Sequence, residues 1–220
     1  MKRMLGVLML VLVSMATPHW VGGQSYDAYI ANLKERAAQG HVIGQYLLGY
    51  AYDFGEGVSE DQAEAAKWYR LAADQGYANA QYRLGQMYEL GKGVPENTTE
   101  AVKLYRLAAA QGLAEGQYLL AGMYDFGKGV NEDRAEAVKW YRLAADQGHA
   151  RAARSLGLAY YSGEAVPQDY VQAYKWYNLA AAWGDARAKD RKDRMAEKMT
   201  KEQIAEAQRL SSAFKVIKTP

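Results

Sequence analysis

Apolar residues recur at helical spacing through most of the chain, and glycines interrupt this pattern at regular intervals. Over residues 45–80 the pattern predicts two helices, a short one over about 45–54 and a second one that ends at Gly76. Gly55 and Gly57 follow the first helix, where glycine readily adopts the left-handed conformation of a helix end. No segment alternates apolar and polar residues as a strand does, which predicts an all-α protein. The apolar positions of the second helix are three or four residues apart: Ala65, Trp68, Tyr69, Ala72 and Ala73.

The start of the second helix carries local signals. Ser59 and Gln62 have the spacing of a capping box, in which the two residues exchange side-chain hydrogen bonds with each other's backbone. Pro95 and Pro167 suit the opening turn of the equivalent helices further along the chain. These signals predict a helix that begins shortly after Val58.

The same 36-residue pattern occurs four times without a gap. A two-helix unit cannot bury its apolar face alone, so successive units are expected to stack. Residues 25–44 are predicted to form an incomplete leading unit, because Ala37-Ala38-Gln39-Gly40 resembles the end of the first full unit. Residues 189–220 are expected to form C-terminal capping helices. The four predicted units are residues 45–80, 81–116, 117–152 and 153–188.

Residue types with packing roles recur at fixed positions of the unit. A leucine of the first helix precedes a small residue, which allows the partner helix to approach closely: Leu48-Gly49, Leu84-Gly85, Leu120-Ala121 and Leu156-Gly157. The second helix carries a predicted core wedge, at Trp68, Trp140 and Trp176, with Leu104 in the second unit. It also offers a flat surface to the next unit, at Ala72, Ala108, Ala144 and Ala180.

This unit resembles the Sel-one-like repeat (SLR) family, a branch of the tetratricopeptide superfamily. The resemblance implies a right-handed α–α superhelix built from helical hairpin repeats, and it fixes no ligand. The third unit repeats nearly all of the matching residues. In the first unit these are Leu48, Gly49, Tyr52, Gly55, Gly57, Val58, Asp61, Ala65, Trp68, Tyr69, Ala72, Ala73, Gly76 and Ala80.

The resemblance also indicates where a partner would bind, since the first helices of tetratricopeptide repeats line a concave surface. Positions 46, 50 and 53 and their equivalents share one side of the first helix, named here the first-helix face. Aromatic residues mixed with acids suit a peptide or protein segment with some basic character. For the tyrosines, packing between neighbouring units is an open alternative. The candidate partner-binding residues are Tyr46, Tyr50, Asp53, Tyr82, Gln86, Glu89, Tyr118, Asp125, Arg154 and Tyr161.

Residues 1–24 have the features of a secretory signal peptide. A basic start, Lys2-Arg3, precedes an apolar run over residues 5–13, and this run is shorter than the roughly 20 residues that span a bilayer. Cleavage is expected after Ala16 or near Gly23. The mature protein is therefore predicted to be periplasmic or secreted, without a membrane span after signal removal and with envelope association left open.

Charge and composition narrow the function classes. Of the 27 basic residues, Lys2 and Arg3 precede position 25, so 25 basic residues face 25 acidic ones in the remainder. This balance argues against the broad basic field that nucleic-acid binding requires. The absence of cysteine excludes disulfides, thiolate metal sites and a cysteine nucleophile. We expect no cofactor, no metal and no nucleic-acid partner.

Several apparent motifs lack the features that their chemistry needs. The segment from Gly122 to Gly129 resembles a phosphate-binding loop, but Gly129 stands where that loop needs Ser or Thr. Ser212 and Lys215 have the spacing of the Ser-x-x-Lys motif of penicillin-recognising enzymes, without its partner motifs. His41 and His149 lie at a variable turn position, which predicts exposure.

The C-terminal region differs from the repeats. Residues 187–220 contain ten basic and five acidic side chains. A helix is predicted over 187–199, followed by a capping box at Thr200 and Gln203 that opens a last helix through Phe214. A solubilising cap is the favoured interpretation, because the acids are interspersed among the basic residues. A basic binding patch is the alternative.

The SLR resemblance implies a non-enzymatic protein-interaction scaffold or adaptor. Proteins of this family resemble assembly factors for protein complexes, and bacterial secreted members are associated with envelope processes and host contact. Some cysteine-rich relatives are linked to β-lactam binding or hydrolysis. The alternative function is therefore a cell-envelope enzyme or a peptidoglycan- or β-lactam-binding protein.

Overall fold

The computed structural model describes residues 26–217. The predicted signal peptide, residues 1–24, lies outside the described residues. Between residues 26 and 217 the chain forms eleven α-helices and no strand, which confirms the predicted all-α class. The helices are α1 Tyr26–Ala38, α2 Val42–Phe54, α3 Gln62–Asp74, α4 Ala78–Leu90, α5 Thr98–Ala110, α6 Ala114–Phe126, α7 Arg134–Asp146, α8 Ala150–Ser162, α9 Tyr170–Ala182, α10 Ala186–Ala196 and α11 Lys201–Ser212. None of these helices combines the length and apolar character that crossing a membrane requires.

The chain divides into two compact parts, Met1–Ala72 and Ala73–Pro220. From here on these parts are called the first unit and the second unit, and each 36-residue segment is called a repeat. In the first unit, α1 packs against α2 and occupies the place of the predicted leading half-repeat. Its core contains Ile30, Leu33, Ala37, Leu48 and Ala51, all buried. Leu48 is the first of the leucines that recur at one position of the repeat, and it lies in the core as predicted.

In the second unit, each helix from α4 to α9 packs against the next one along the chain, and α9 also packs against α11. This nearest-neighbour pattern is what stacked hairpins require. The alanines predicted to form the flat packing surface, Ala108, Ala144 and Ala180, are fully buried at 0% exposure. Of the predicted core wedge, Trp176 and Leu104 are buried, whereas Trp140 here and Trp68 in the first unit are only half-buried.

The small residues beside the core leucines make room for a tyrosine of the next helix. A Cβ added to Gly85 would lie 2.7 Å from the ring of Tyr105, and one added to Gly157 would lie 2.6 Å from the ring of Tyr177. Such distances are shorter than van der Waals contact, so a side chain there would displace the ring. The predicted close approach of the paired helices is therefore confirmed.

The helix ends confirm some local signals and correct others. Gly91 and Gly127 end α4 and α6 in the left-handed conformation, at φ 63° and 62°. Asn97, Asp133 and Asp169 begin the second helices, each accepting a hydrogen bond from a backbone N–H three residues later.

The predicted capping box at Ser59 and Gln62 is wrong. Asp61 accepts from the Glu64 N–H at 2.9 Å, while the Gln62 amide donates to the Asp53 carbonyl oxygen at 2.9 Å. A carboxylate directly before the helix reaches its free N–H groups, and Ser59 lies too early to do so. Pro95 and Pro167 likewise lie in the loops before α5 and α9 and not in their opening turns.

Other boundaries differ by a few residues. The first helix α2 begins at Val42 rather than at about Gln45, and α10 ends at Ala196 rather than at Met199. The capping box of Thr200 and Gln203 is confirmed, with both hydrogen bonds present. The last helix ends at Ser212, two residues before the predicted end.

The segment after α11 folds back on the second unit. The Phe214 ring lies 5.4 Å from the Trp176 ring and 5.8 Å from the Trp183 ring. The Ile217 N–H donates to the Asp146 carbonyl oxygen at 2.7 Å. These contacts cover α9 and the end of α7 with the chain's own C-terminal segment.

Candidate functional site

The acids of the first-helix face are each held by a buried tyrosine. The tyrosine lies on the second helix of the same repeat, and its hydroxyl donates to the carboxylate. Burial raises the pKa of Tyr105 and Tyr141, and the neighbouring carboxylate raises it further, so both hydroxyls stay protonated donors. The pairs are Tyr69–Asp53, Tyr105–Glu89 and Tyr141–Asp125, with oxygen–oxygen distances of 3.2, 2.6 and 3.2 Å.

This arrangement fixes the direction of each carboxylate. Asp53, Glu89 and Asp125 are half-buried, and each has one oxygen engaged by a tyrosine. Burial raises the pKa of Asp125, and the hydrogen bond from Tyr141 opposes that rise. The acids thus have a structural role within the repeat, and they also present oriented negative charge at a partly open surface.

The tyrosines at the first position of the face are half-buried and take part in packing. The Tyr118 ring lies 5.8 Å from Tyr141 and is stacked on His149 at 4.6 Å. The Arg151 guanidinium lies 4.9 Å from the centre of the Tyr118 ring. Tyr46 is placed similarly in the first unit, 5.7 Å from Tyr69. The packing interpretation therefore describes part of what these rings do.

The predicted exposure of His149 is wrong. This side chain is half-buried under Tyr118, and its Nδ1 atom accepts a hydrogen bond from the Ala152 N–H at 3.1 Å, at the start of α8. Burial lowers its pKa. His41 is exposed, as predicted. The difference arises because His149 has an aromatic ring beside it that it can stack on.

The remaining candidates are less engaged. Tyr50 is half-buried with its ring 4.5 Å from Phe54, which is itself 49% exposed. Tyr82 and Gln86 are half-buried on α4. An Arg83 guanidinium lies 5.4 Å from the centre of the Tyr82 ring. These side chains leave part of their surface available for contact.

The fourth repeat departs from this arrangement. Arg154 pairs with Asp185 at 2.8 Å, and their side chains are only 18% and 8% exposed, so Arg154 primarily tethers the turn before α10. Tyr161 stands where the other repeats have an acid. Its hydroxyl accepts from the Lys198 ammonium at 2.9 Å, and its ring lies 5.8 Å from Tyr170.

Several candidate residues contact residues of a neighbouring helix, and in the second unit these contacts join one first helix to the next. In the second unit, Tyr118 on α6 meets Arg151 at the start of α8, and Tyr161 on α8 meets Lys198 just after α10. In the first unit, Tyr46 and Asp53 both meet Tyr69, while Tyr50 contacts Phe54.

The first-helix face continues onto α10, which the residue pattern of the repeat does not predict. Adding one 36-residue period to Arg154, Leu158 and Tyr161 gives Asp190, Arg194 and Glu197. These residues line a cavity together with Tyr161 and Tyr177. The repeat register was the available signal, but the residue types on α10 no longer match the repeat.

The segment with the Ser-x-x-Lys spacing, Ser212 to Lys215, lies at the end of α11. The Ser212 hydroxyl donates to the Gln208 carbonyl oxygen at 2.9 Å, and Lys215 is exposed beyond the helix. The segment that resembles a phosphate-binding loop begins inside helix α6 and ends just after it, whereas the true motif follows a strand. Across residues 26–217, no three His, Asp or Glu side chains are grouped to hold a metal ion.

The chain is similar to solved structures with this architecture. One is a protective antigen of uropathogenic Escherichia coli that displays an SLR fold, with 39% identity over 83% of this chain and a TM-score of 0.76. The match spans only 40% of the length of that antigen. Another is a Sel1 repeat protein from Oxalobacter formigenes, with 34% identity, a TM-score of 0.71, and coverage of 84% of this chain and 79% of that one.

A more distant likeness shows the fold alone. An immunity protein of Pseudomonas aeruginosa matches 95% of this chain and 76% of its own length at 20% identity, with a TM-score of 0.56. No curated protein matches the chain significantly.

The repeat itself matches a family. The Sel1 repeat is found at residues 42–77, 78–113, 114–149 and 150–185. These segments have the predicted 36-residue length, begin three residues before the predicted units, and together cover more than half of the chain. The chain belongs to the Sel1 repeat family.

Proposed function

We propose that this protein is an exported, non-enzymatic scaffold that binds a peptide or protein segment on its first-helix face. Sel1 repeat proteins are generally protein-interaction scaffolds. The observation that carries the proposal is the recurring set of half-buried tyrosines and acids on α2, α4 and α6. The acids are oriented by buried tyrosine hydroxyls, and such preorganised polar groups lose little freedom when a partner binds.

The chemistry of the face suits a segment with basic character. Asp53, Glu89 and Asp125 can each accept further hydrogen bonds from Lys or Arg, because a carboxylate has more acceptor sites than one tyrosine uses. Tyr46, Tyr50 and Tyr82 add ring surface for apolar or cationic side chains. Periplasmic or secreted localisation rests on the signal pattern of residues 1–24.

Capture of the exported protein from its native cell, with mass spectrometry, would identify the partner. Its affinity is then measured for the wild type and for the double variant Tyr50→Ala with Asp53→Lys. We expect binding to weaken at least about tenfold, as loss of an interface anchor and reversal of a contacting charge do. Circular dichroism should show unchanged helicity.

A matched control makes comparable changes on another helix. Leu71→Ala with Asp74→Lys, on α3, removes an exposed apolar side chain and reverses one charge. Partner affinity should be unchanged in this control. Equal affinity in both double variants would show that the first-helix face is not the binding surface.

Export and the absence of catalysis have their own tests. The amino terminus of the mature protein, recovered from the periplasm or medium, should follow Ala16 or lie near residue 24. Hydrolysis of a β-lactam or a muropeptide that is lost in Ser212→Ala would overturn the scaffold proposal in favour of an envelope enzyme.

A further inference from the structure

An open cavity of about 760 Å³ lies at the C-terminal end of the second unit. Tyr161 and Tyr177 line one side of it, and residues of α10 and the turn after it line the other. Its volume is within the range of roughly 300–1,000 Å³ that ligand pockets occupy. It is named here the basic cleft.

The charge of the basic cleft is positive. Arg187, Arg191, Arg194 and Lys198 line it against two acids, Asp190 and Glu197, which leaves a surplus of two positive charges. The Arg194 guanidinium is paired with Asp190 at 3.1 Å along the same helix. The residues equivalent to Tyr161 in the second and third repeats are the acids Glu89 and Asp125.

The two tyrosines of the basic cleft differ from their counterparts. In the second and third repeats, the buried tyrosine donates to an acid of the first helix. In the fourth repeat that acid is replaced by Tyr161, and the Tyr177 hydroxyl has Arg191 beside it instead. Burial raises the pKa of Tyr177, and the positive charge of Arg191 partly offsets this.

The position that supplies a carboxylate in three repeats thus supplies none in the fourth. Lys198 donates to the Tyr161 hydroxyl, a neutral acceptor, at 2.9 Å. A guanidinium forms its strongest hydrogen bonds with a carboxylate, often two in parallel. An external carboxylate would therefore be a stronger partner for these cations than the neutral Tyr161 hydroxyl is.

We propose that the basic cleft binds an acidic peptide segment, with its carboxylates against Arg187, Arg191 and Lys198. Tyr161 offers ring surface to the same segment. A phosphate polymer fits less well, because Asp190 and Glu197 in the same cleft would repel a uniform line of negative charge. This inference rests on the proposed function only in placing a peptide on the first-helix face.

Fluorescence anisotropy on the purified protein tests the proposal. The probe is a short labelled peptide in which glutamates are separated by neutral residues, and the comparison peptide has glutamine in place of every glutamate. We expect binding of the glutamate peptide alone, weakened at least about tenfold by Arg187→Gln with Lys198→Gln, because each hydrogen bond to a charged group contributes about that much.

The matched control is Lys189→Gln with Lys201→Gln, which removes two exposed positive charges outside the basic cleft. This variant should bind the glutamate peptide as the wild type does. Equal weakening in both double variants, or equal binding of the glutamine peptide, would overturn the proposal. Polyphosphate that binds more tightly than the glutamate peptide would also overturn it, in favour of a polyanion site.

A second measurement needs no substitution. A glutamate peptide carrying a photoreactive benzophenone should crosslink to α10 or to Tyr161, and crosslinks confined to other helices would contradict the site. Failure of these peptide experiments leaves the partner test with Tyr50 and Asp53 unaffected, because that test concerns the first unit and the captured partner.

Discussion

The third and fourth repeats, residues 114–149 and 150–185, have the same helical design but different neighbours. In the third, Tyr141 donates to Asp125 on the first-helix face. In the fourth, Tyr161 replaces the acid, and Tyr177 lies near Arg191 of α10. The same position therefore presents negative charge in one repeat and borders a positively charged cleft in the next.

The outer side of the two repeats differs as well. Leu143 is 47% exposed, whereas its equivalent Leu179 is 7% exposed on α9, the helix that packs against α11. The Gln147 amide donates to the Gln117 side-chain oxygen at 2.8 Å in the third repeat. The fourth has Trp183 in place of that Gln147, packed against Phe214 of the C-terminal segment. The fourth repeat thus has a tryptophan that packs against the C-terminal segment, while the third repeat leaves Leu143 largely exposed.

The largest expected difference concerns the core wedge. Trp176→Ala should lower the free energy of unfolding by about 3–5 kcal/mol, since it removes a fully buried ring from the core. Trp140→Ala should cost clearly less, because that ring is half-buried. Urea denaturation of both variants measures the difference, and equal costs would contradict the distinction between internal and terminal repeats.

The outer leucines provide the next comparison. Leu179→Ala should lower the free energy of unfolding by about 2–5 kcal/mol, as buried leucine truncations do. Leu143→Ala should stay within about 0.5 kcal/mol of the wild type, because the side chain is largely exposed. A Leu143 variant as unstable as the Leu179 variant would show that something covers the third repeat too.

Replacing either of two helix glycines by alanine should change the free energy of unfolding, with opposite sign at the two positions. Gly157→Ala places a Cβ 2.6 Å from the Tyr177 ring and should cost about 1–3 kcal/mol through overpacking. At Gly122 the nearest atom to an added Cβ is the Tyr141 hydroxyl at 3.9 Å, so Gly122→Ala should stabilise by about 0.5–1 kcal/mol through helix propensity. Thermal unfolding of the two variants gives the sign directly.

The smallest effect is a difference in pH response between His149 and its equivalent Asp185. Burial lowers the pKa of His149, so its folded form favours the neutral ring. Stability linked to it is complete above the unfolded pKa of about 6.5 and falls as pH decreases below that value. Protonation also removes the Nδ1 acceptor that caps α8.

Asp185 responds in a lower window. Burial opposes ionisation, but hydrogen bonds from Arg154 and from backbone N–H groups lower its pKa overall. Its contribution is therefore complete above the unfolded pKa of about 3.9 and is lost only as pH falls below it. The slope of the urea midpoint against pH should flatten below about pH 6.5 in His149→Asn and below about pH 4 in Asp185→Asn. An unchanged profile in either variant would contradict the assignment.

Much of the fold followed from the repeat pattern. Four periods of leucine, glycine, tryptophan and alanine predicted paired helices, and the packing of Gly85 against Tyr105 shows why the glycine is needed. Short-range signals were less dependable. Ser59 and Gln62 matched a capping box by spacing, but Asp61 lies where a side chain can reach the free N–H groups.

The candidate site was predicted only in part. Sequence periodicity placed Asp53, Glu89 and Asp125 on one face, but it carried no information on the tyrosine that contacts each of them. The periodicity ends at residue 188, so it predicts a cap for the basic residues of α10, with a binding patch as the alternative, and it does not predict that they line a cavity.

The sequence by itself determined the repeat length, the helix pairs and most of the core residues, because these depend on local periodicity and on apolar burial. Only the tertiary structure decided which polar side chains meet: Tyr105 with Glu89, His149 with Tyr118, and Tyr161 with Lys198. Such contacts join residues from different helices, and their distances depend on how those helices pack. Spacing along one chain segment does not contain that information.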